Sequence, residues 1–488
     1  MQARRAQPAP GRRPDGPRGL GRQDARRLVA AILSSIYPGL GQAYNRQARL
    51  VLLFALPITL LTLLGTGLVL SQPRQVLFAR LLIPDVLLAL LMVNLMILAW
   101  RLTAAVQAFL DGRHPGRVSP PAALGLVLVL GLAAAPQGYL GYLGYGVYQT
   151  ANAIFYGGPD EGHSGPTTPA ETLAPGETMA PTPSPAPSPD WLVGGRINVL
   201  LMGIDSRPSR RHALADTLIV VSIDPKGKTV SMVSIPRDMV DVPMGNGDIY
   251  GPKINSLIGY ADANPKQFPQ GGTRALEDAL GALLGIQIHY YARVDLIGFI
   301  NMVDAVGGID VDVKKPLNGA GYNDFGVRNF SVGVGIHHFD GKEALAYARI
   351  RKAAGESDFT RAARQQEVLV ALRDAAVKRG LLDLGRLQAL LEATREAIRT
   401  DFPPEHLPDL AALAAEIDAS RTVSAVIKSP LVHSGKAGDP RGSIQVPVYD
   451  KILEMARGLF TEPGVPPIPW PSPKPTPVPS PTATPTLP

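Results

Sequence analysis

The chain has 488 residues, no cysteine and a formal net charge of +7. The lack of cysteine excludes a disulfide framework, zinc–thiolate centres and thiol nucleophiles. Eight arginines in residues 1–27, against Asp15 and Asp24, account for nearly all of the net charge, so the rest of the chain is close to neutral. A basic tail placed ahead of apolar segments signals membrane topology, not nucleic-acid binding.

Residues 28–44 are apolar but broken by Pro38, Gly39 and Gly41, which suits an interfacial or re-entrant segment. Residues 50–70 carry no charge and are long enough to cross a hydrocarbon core of roughly 30 Å. Residues 81–100 form a second such stretch, with Asp85 near one end, and 122–145 a third, whose later part carries Tyr139, Tyr142 and Tyr145 as an aromatic belt. A membrane region of about three helices over 28–156 follows. The loop 101–121 holds Arg101, Arg113 and Arg117 against Asp111. Placing this loop and the basic cytoplasmic tail 1–27 inside sends everything after the third crossing outside: a multi-pass cell-membrane protein with an extracytoplasmic domain.

Residues 157–193 are rich in Pro, Ser and Thr and form an extended linker, and the Pro-rich tail 462–488 is expected to be disordered. Between them, 194–461 reads as one domain. Residues 197–204, 218–223 and 229–235 are apolar, β-branched runs of buried-strand type. Helical spacing covers 273–284, 295–306, 341–348, 358–379, 383–399, 405–418 and 449–460, with a return to strand at 422–428. The order predicts an α/β domain, an α–β–α sandwich with a mixed central sheet, preceded by the α-helical membrane region.

The charged residues of this domain gather at strand ends. Asp205 and Arg207 follow the first strand, Asp216 opens the second, and Arg237-Asp238 ends the third. Ligands of open α/β sheets sit beyond such ends. Arg349 and Arg351 lie two apart, hence on one face if extended. Arg361, Arg364 and Gln365 share a helix face. Guanidinium groups suit phosphate oxygens, and carboxylates suit Mg²⁺ completed by phosphate and water. The set describes a pyrophosphate–metal site better than a protease, for no Ser-His-Asp or metal-binding His pattern is present.

Other charged residues have plainer explanations. Asp358 precedes a long helix and could serve as its N-cap. The run 224–227 reads as a hairpin turn. His337-His338 reads as a solvated loop, and Gly307-Gly308 as the end of one helix and the start of the strand 309–313.

Taken together, residues 198–207 (NVLLMGIDSR), 215–242, 253–262 (KINSLIGYAD), Gly271-Gly272, 289–313, 339–351 (FDGKEALAYARIR) and 358–366 (DFTRAARQQ) resemble the LytR-CpsA-Psr family. The resemblance implies a fold with a hydrophobic tunnel for a polyprenyl pyrophosphate, to which Leu296, Ile297, Phe299, Ile300 and Val303 could contribute. It implies a Mg²⁺-dependent phosphotransferase that moves a glycan phosphate from a polyprenyl-pyrophosphate-linked donor onto peptidoglycan or a related envelope glycan. By motif, Asp205 and Asp216 would hold Mg²⁺ and, with Arg237, form the catalytic set. Arg237, Arg349, Arg351, Arg361 and Gln365 would contact the pyrophosphate, with Arg364 on the same helix face. Asp358 would orient an arginine, and Arg207, Asp238 and Lys253 would stand behind them. A pyrophosphate hydrolase with water as acceptor and a non-catalytic lipid-pyrophosphate scaffold are the competing readings, and a transcriptional attenuator ranks last.

Overall fold

The computed structural model describes residues 21–111, 117–155, 195–205, 214–351, 355–379, 397–436 and 438–460. The linker expected over 157–193, the tail 462–488 and Arg207 lie outside these residues. The chain divides into two compact units, Met1–Gln72 with Asp85–Tyr145, and Pro73–Pro84 with Gly146–Pro488.

The first unit opens with α1 (Arg22–Ile36) and the short α2 (Leu40–Tyr44), separated at Tyr37-Pro38-Gly39. The interruption expected within 28–44 is therefore a turn between two helices. Proline cannot continue α1, and Gly39 takes φ 105°, a value that glycine adopts without strain. A Cβ at Gly41 would come within 2.0 Å of Ala30 O, so glycine is what lets α2 lie against α1. Among the described residues, three helices are long and apolar enough to cross a membrane: α3 (Ala48–Ser71), α5 (Pro84–Phe109) and α6 (Pro120–Phe155). Between α3 and α5 lies α4 (Arg74–Arg80), which belongs to the second unit. Polar side chains in the first unit turn inward. Gln42 donates to Ala104 O and Gln107 Oε1, while Ser34 donates to Gln42 Oε1. Arg101 donates to Gln137 Oε1 and to Ser35 O, one of the last carbonyls of α1. An arginine at the negative end of a helix is well placed electrostatically, and the bond satisfies an acceptor that α1 leaves open.

The second unit is built on a six-stranded sheet. Its strands are β1 (Ile197–Asp205), β2 (Leu214–Asp224), β3 (Thr229–Ser234), β4 (Tyr290–Asp295), β5 (Ile398–Thr400) and β6 (Thr422–Val426), in the order β5-β4-β1-β2-β3-β6. The β1–β4 and β3–β6 pairs are parallel and the other three antiparallel, so the sheet is mixed, as the sequence predicts. Alternation along the strands sends Leu200, Met202, Leu218, Val220 and Val233 to one face. There they pack with α7 (Leu257–Asp262) and α8 (Gly271–Leu284). The opposite face carries Asp205 and Ser234. On that side Gln366 donates to Ser234 Oγ and Ala425 O, pinning a long helix to β3 and β6. Helices thus cover both faces, giving the α–β–α sandwich.

The remaining helices are α9 (Leu296–Ala305), α10 (Gly341–Arg349), α11 (Asp358–Arg379), α12 (Leu407–Glu416) and α13 (Tyr449–Phe460). The helix expected over 383–399 falls largely outside the described residues, and its last part is not helical. Ile398–Thr400 is the edge strand β5, paired with Ala292–Val294 of β4. The edge of the sheet recruits a tripeptide with β-branched Ile398 and Thr400 at its ends, which helical spacing had claimed. His337-His338 is likewise strand instead of loop. It lies in Gly335–Phe339, antiparallel to Ile309–Val313, with His338 Nδ1 2.7 Å from Asp310. Gly307 and Gly308 take φ 74° and 83° between α9 and that ribbon, and a Cβ at Gly308 would meet His338 Nε2 at 2.4 Å. Asp224 Oδ1 accepts from Lys226 N and Gly227 N, which makes 224–227 the expected turn.

One buried acid sits away from the strand ends that carry the motif residues. Glu277 on α8 is 3% exposed, and its carboxyl pKa is pushed up to about 8, chiefly by burial and further by Asp401. The fold therefore keeps a proton on Glu277 that the unfolded chain releases near pH 4.5. Stability should fall as pH rises from about 4.5 to about 8 and level off above, by up to ~1.4 kcal/mol per pH unit. Glu277→Gln is expected to flatten that slope and to raise the thermal midpoint at pH 8. At pH 5 it should change little. Calorimetry of the full chain at the two pH values checks this, and an unchanged slope would show that Glu277 stays ionised in the fold.

Candidate active site

The site is assembled at the ends of β1, β2 and β3, where the sheet departs from regularity. In the β1–β2 ladder Gly203 pairs with Thr217 but Ile204 pairs with Ala215, so Asp216 is an extra, bulged residue. In an unbroken ladder Asp216 would lie opposite Ile204 and face the apolar core. The bulge gives that core position to Ala215, which is fully buried there, and leaves the Asp216 carboxylate part-exposed. Asp205, the last residue of β1, keeps only 2% of its side chain exposed.

Each carboxylate meets an arginine. Arg237 Nη1 donates to Asp216 Oδ1 at 2.7 Å, and its Nε lies 3.7 Å from Asp238 Oδ2. Lys253 Nζ closes on the other oxygen of Asp238 at 2.8 Å. Arg349 Nη2 is 3.6 Å from Asp205 Oδ2, and its Nη1 is 2.6 Å from Asp324 Oδ2. Arg361 Nη1 is 3.1 Å from Asp358 Oδ1, and Arg351 reaches the same oxygen at 4.0 Å. Asp358 is not the N-cap of α11, because Ser357 fills that role by accepting from Thr360 N. The carboxylate of Asp358 is thereby left to the two arginines.

A cavity of about 270 Å³ opens beside part of this set. Asp216, Arg237 and Asp238 line one side, Asp358, Arg361 and Gln365 of α11 another, and Ser443 with Gln445 a third. Burial alone would lower the Arg237 guanidinium, but Asp216 and then Asp238 outweigh it and hold its pKa above the ordinary value. Arg361 goes the other way. Burial depresses it, Asp358 opposes the fall, and the charge of Arg237 adds to it. Both residues have a buried Nε donor with no acceptor among the described residues. The lining thus sets two guanidinium groups, each with a buried donor to spare, among the carboxylates of Asp216, Asp238 and Asp358.

Asp205, Lys253, Arg349, Arg351 and Arg364 do not line the cavity. Arg364 is 6% exposed. Its guanidinium donates to Tyr347 O at 2.8 Å, to Ile350 O and to Glu356. These bonds tie α11 to the segment that carries Arg349 and Arg351, so Arg364 supports the site from behind. Gln365 lines the cavity, with its Nε2 3.4 Å from Ala348 O.

Sequence reasoning missed Asp324, Ser443 and Gln445. Ser443 and Gln445 come from a short stretch whose Gln445–Pro447 forms a small strand against Val432–Ser434, and no motif marks them. Gln445 is placed by its backbone, donating to Asp238 O and accepting from Val240 N, each at 3.0 Å. No step of that kind can be read from residue types.

For a divalent cation, Asp205 and Asp216 offer an all-oxygen donor pair at neighbouring strand ends. No group of three ligating side chains occurs among the described residues. The pair fits Mg²⁺, which takes one or two carboxylates and completes its shell with phosphate and water, better than an ion that needs a full protein cage.

The profile of the LytR-CpsA-Psr family matches residues 174–430, more than half of the chain. The polyisoprenyl-teichoic acid–peptidoglycan teichoic acid transferase TagU of Halalkalibacterium halodurans is 33% identical over 205 residues, covering 42% of this chain and 60% of that protein. The transferase of the same description named TagV from Bacillus subtilis is 34% identical over 206 residues, covering 42% and 49%. The chain thus spans about half to three-fifths of the length of these curated relatives. The crystal structure of Bacillus subtilis TagV aligns with 54% of this chain and 97% of its own, at 26% identity and a TM-score of 0.43. With the motif blocks in order and the profile spanning β1 through β6, this chain belongs to the LytR-CpsA-Psr family.

Proposed function

We propose that the protein is a phosphotransferase that moves a glycan phosphate from a polyprenyl-pyrophosphate-linked donor to a hydroxyl of peptidoglycan or a related envelope glycan. The observation that carries this reading is the cavity between Arg237 and Arg361, with its two buried donors and its flanking carboxylates. The names of the relatives give the same class of donor and acceptor.

In this reading Arg237 and Arg361 bind the pyrophosphate inside the cavity, while Arg349 and Arg351, outside its lining, would add contacts to the donor from the end of α10 and the segment that follows it. The acceptor oxygen forms a bond to the phosphorus nearer the glycan. The bond from that phosphorus to the bridging oxygen breaks, and polyprenyl phosphate leaves with the electron pair. The hydroxyl proton passes to a carboxylate of the Asp205–Asp216 pair. Asp205 and Asp216 would hold Mg²⁺, which supplies charge neutralisation on phosphate oxygens. The arginines add to it, and positioning with neutralisation is most of what phosphoryl transfer demands. The arginine bias supports the same reading: with the basic tail and the loop 101–121 inside, the domain would lie outside, on the side of the membrane where such acceptors are.

The test is to incubate the purified full chain with a polyprenyl-pyrophosphate glycan and Mg²⁺, with and without peptidoglycan fragments. Covalent glycan–peptidoglycan product is expected. Release of lipid phosphate without that product would make the protein a hydrolase, and tight binding without turnover would make it a scaffold.

A further inference from the structure

Arg349 stands at the C-terminal end of α10, and its two terminal nitrogens face carboxylates from separate elements. Nη2 faces Asp205 at 3.6 Å, and Nη1 faces Asp324 at 2.6 Å. Asp324 is on a hairpin of two-residue strands, Asn323–Asp324 against Val327–Arg328, with Asp324 opposite Val327. The connecting residues Phe325 and Gly326 have φ 48° and 84°, the left-handed pair that makes the tightest hairpin loop. Phe325 N lies 3.2 Å from Asp324 Oδ1 and donates to it. One oxygen of the carboxylate is therefore tied to the turn and the other to Arg349.

We infer that Asp324 is a positioning residue for the proposed transfer, holding the Arg349 guanidinium aimed at the space beside Asp205 where the donor's pyrophosphate enters. The physical need is clear. An arginine side chain has roughly 2 kcal/mol of rotamer entropy to lose, and a fork held in advance loses less of it when phosphate arrives. A carboxylate near an anion site also has a cost, since it repels the ligand it helps to receive. The 2.6 Å contact and the tethered second oxygen favour orientation over competition: a carboxylate meant to yield would not be fastened to its own turn. The inference rests on the proposed function, and its test separates the two.

The full chain in detergent, with Mg²⁺ present, is titrated with a polyprenyl diphosphate as wild type, Asp324→Ala, Asp324→Asn, Arg349→Ala and the Asp324→Ala/Arg349→Ala double variant. Asp324→Ala is expected to weaken binding about tenfold, as the loss of a charge-assisted bond would. Asp324→Asn, which keeps an acceptor oxygen, should lose less. In the Arg349→Ala background Asp324→Ala should have no further effect, because the two act through one interaction. An equal loss in both backgrounds would reduce Asp324 to general support of the fold and overturn the role. Tighter binding in Asp324→Ala would overturn it in the other direction, making Asp324 a competitor for Arg349. If the wild type itself fails to bind, the proposed function falls, and the role of Asp324 falls with it.

Discussion

Asp205→Ala is expected to lower glycan transfer by about a thousandfold or more, with the thermal midpoint kept within a few degrees. Asp205 ends β1 with its side chain almost wholly enclosed, so no neighbouring group can take its place. Half of the proposed Mg²⁺ donor pair would go, and charge neutralisation on the transferring phosphate is worth several kcal/mol. The fold should tolerate the change, because the arginine facing Asp205 keeps its 2.6 Å partner Asp324 and is not left as a bare cation. Asp205→Asn, which preserves shape, should be nearly as inactive. Undiminished Mg²⁺-dependent transfer in both variants would remove Asp205 from the chemistry.

Arg361→Ala should weaken donor binding by about a hundredfold, on the order of 3 kcal/mol, as fits a hydrogen-bonded charge in a buried site. Arg361 is 9% exposed, its Nε has no acceptor among the described residues, and the charge of Arg237 adds to the depression of its pKa. A bound pyrophosphate would relieve that repulsion. The same argument predicts that the variant, measured without ligand, is no less stable than the parent. Arg361→Lys should recover little, since an ammonium lacks the planar fork that meets two phosphate oxygens together. Calorimetric titration with a polyprenyl diphosphate reads the affinity directly. Wild-type affinity in both variants would place the pyrophosphate outside this cavity.

Much of the sheet was legible because buried strands write themselves as continuous apolar runs. The stretches 197–204, 218–223 and 229–235 became β1, β2 and β3 with shifts of a few residues at their ends. Ile398–Thr400 was misread because three residues cannot establish a period, and an edge strand depends on a partner distant in sequence, here Ala292–Val294. The ribbon of His337 and His338 was misread for the same reason. At the site, residues next to strand ends were found by position, and Asp216, Arg237, Asp238, Arg361 and Gln365 do meet around one cavity. Arg364 shares the helix face of Arg361 yet turns to backbone carbonyls, a distinction of burial that spacing cannot express. Asp324 escaped notice because nothing in its neighbourhood marks it as chemical. Its role comes from a hairpin folding over α10, and that is a long-range fact.

The bulge at Asp216 has a consequence for how this sequence can change. Whether that carboxylate meets solvent or lipid-like core is decided by parity, the odd or even count of residues paired between Gly203 and the start of β2. Point substitutions leave a count untouched. Loss of the single codon for Ala215 would not: the ladder would close, Asp216 would slide opposite Ile204, and its charge would be driven into the packing of Met202 and Leu218. The bulge therefore locks the length of β1 and β2, a constraint separate from the choice of residue at any one position.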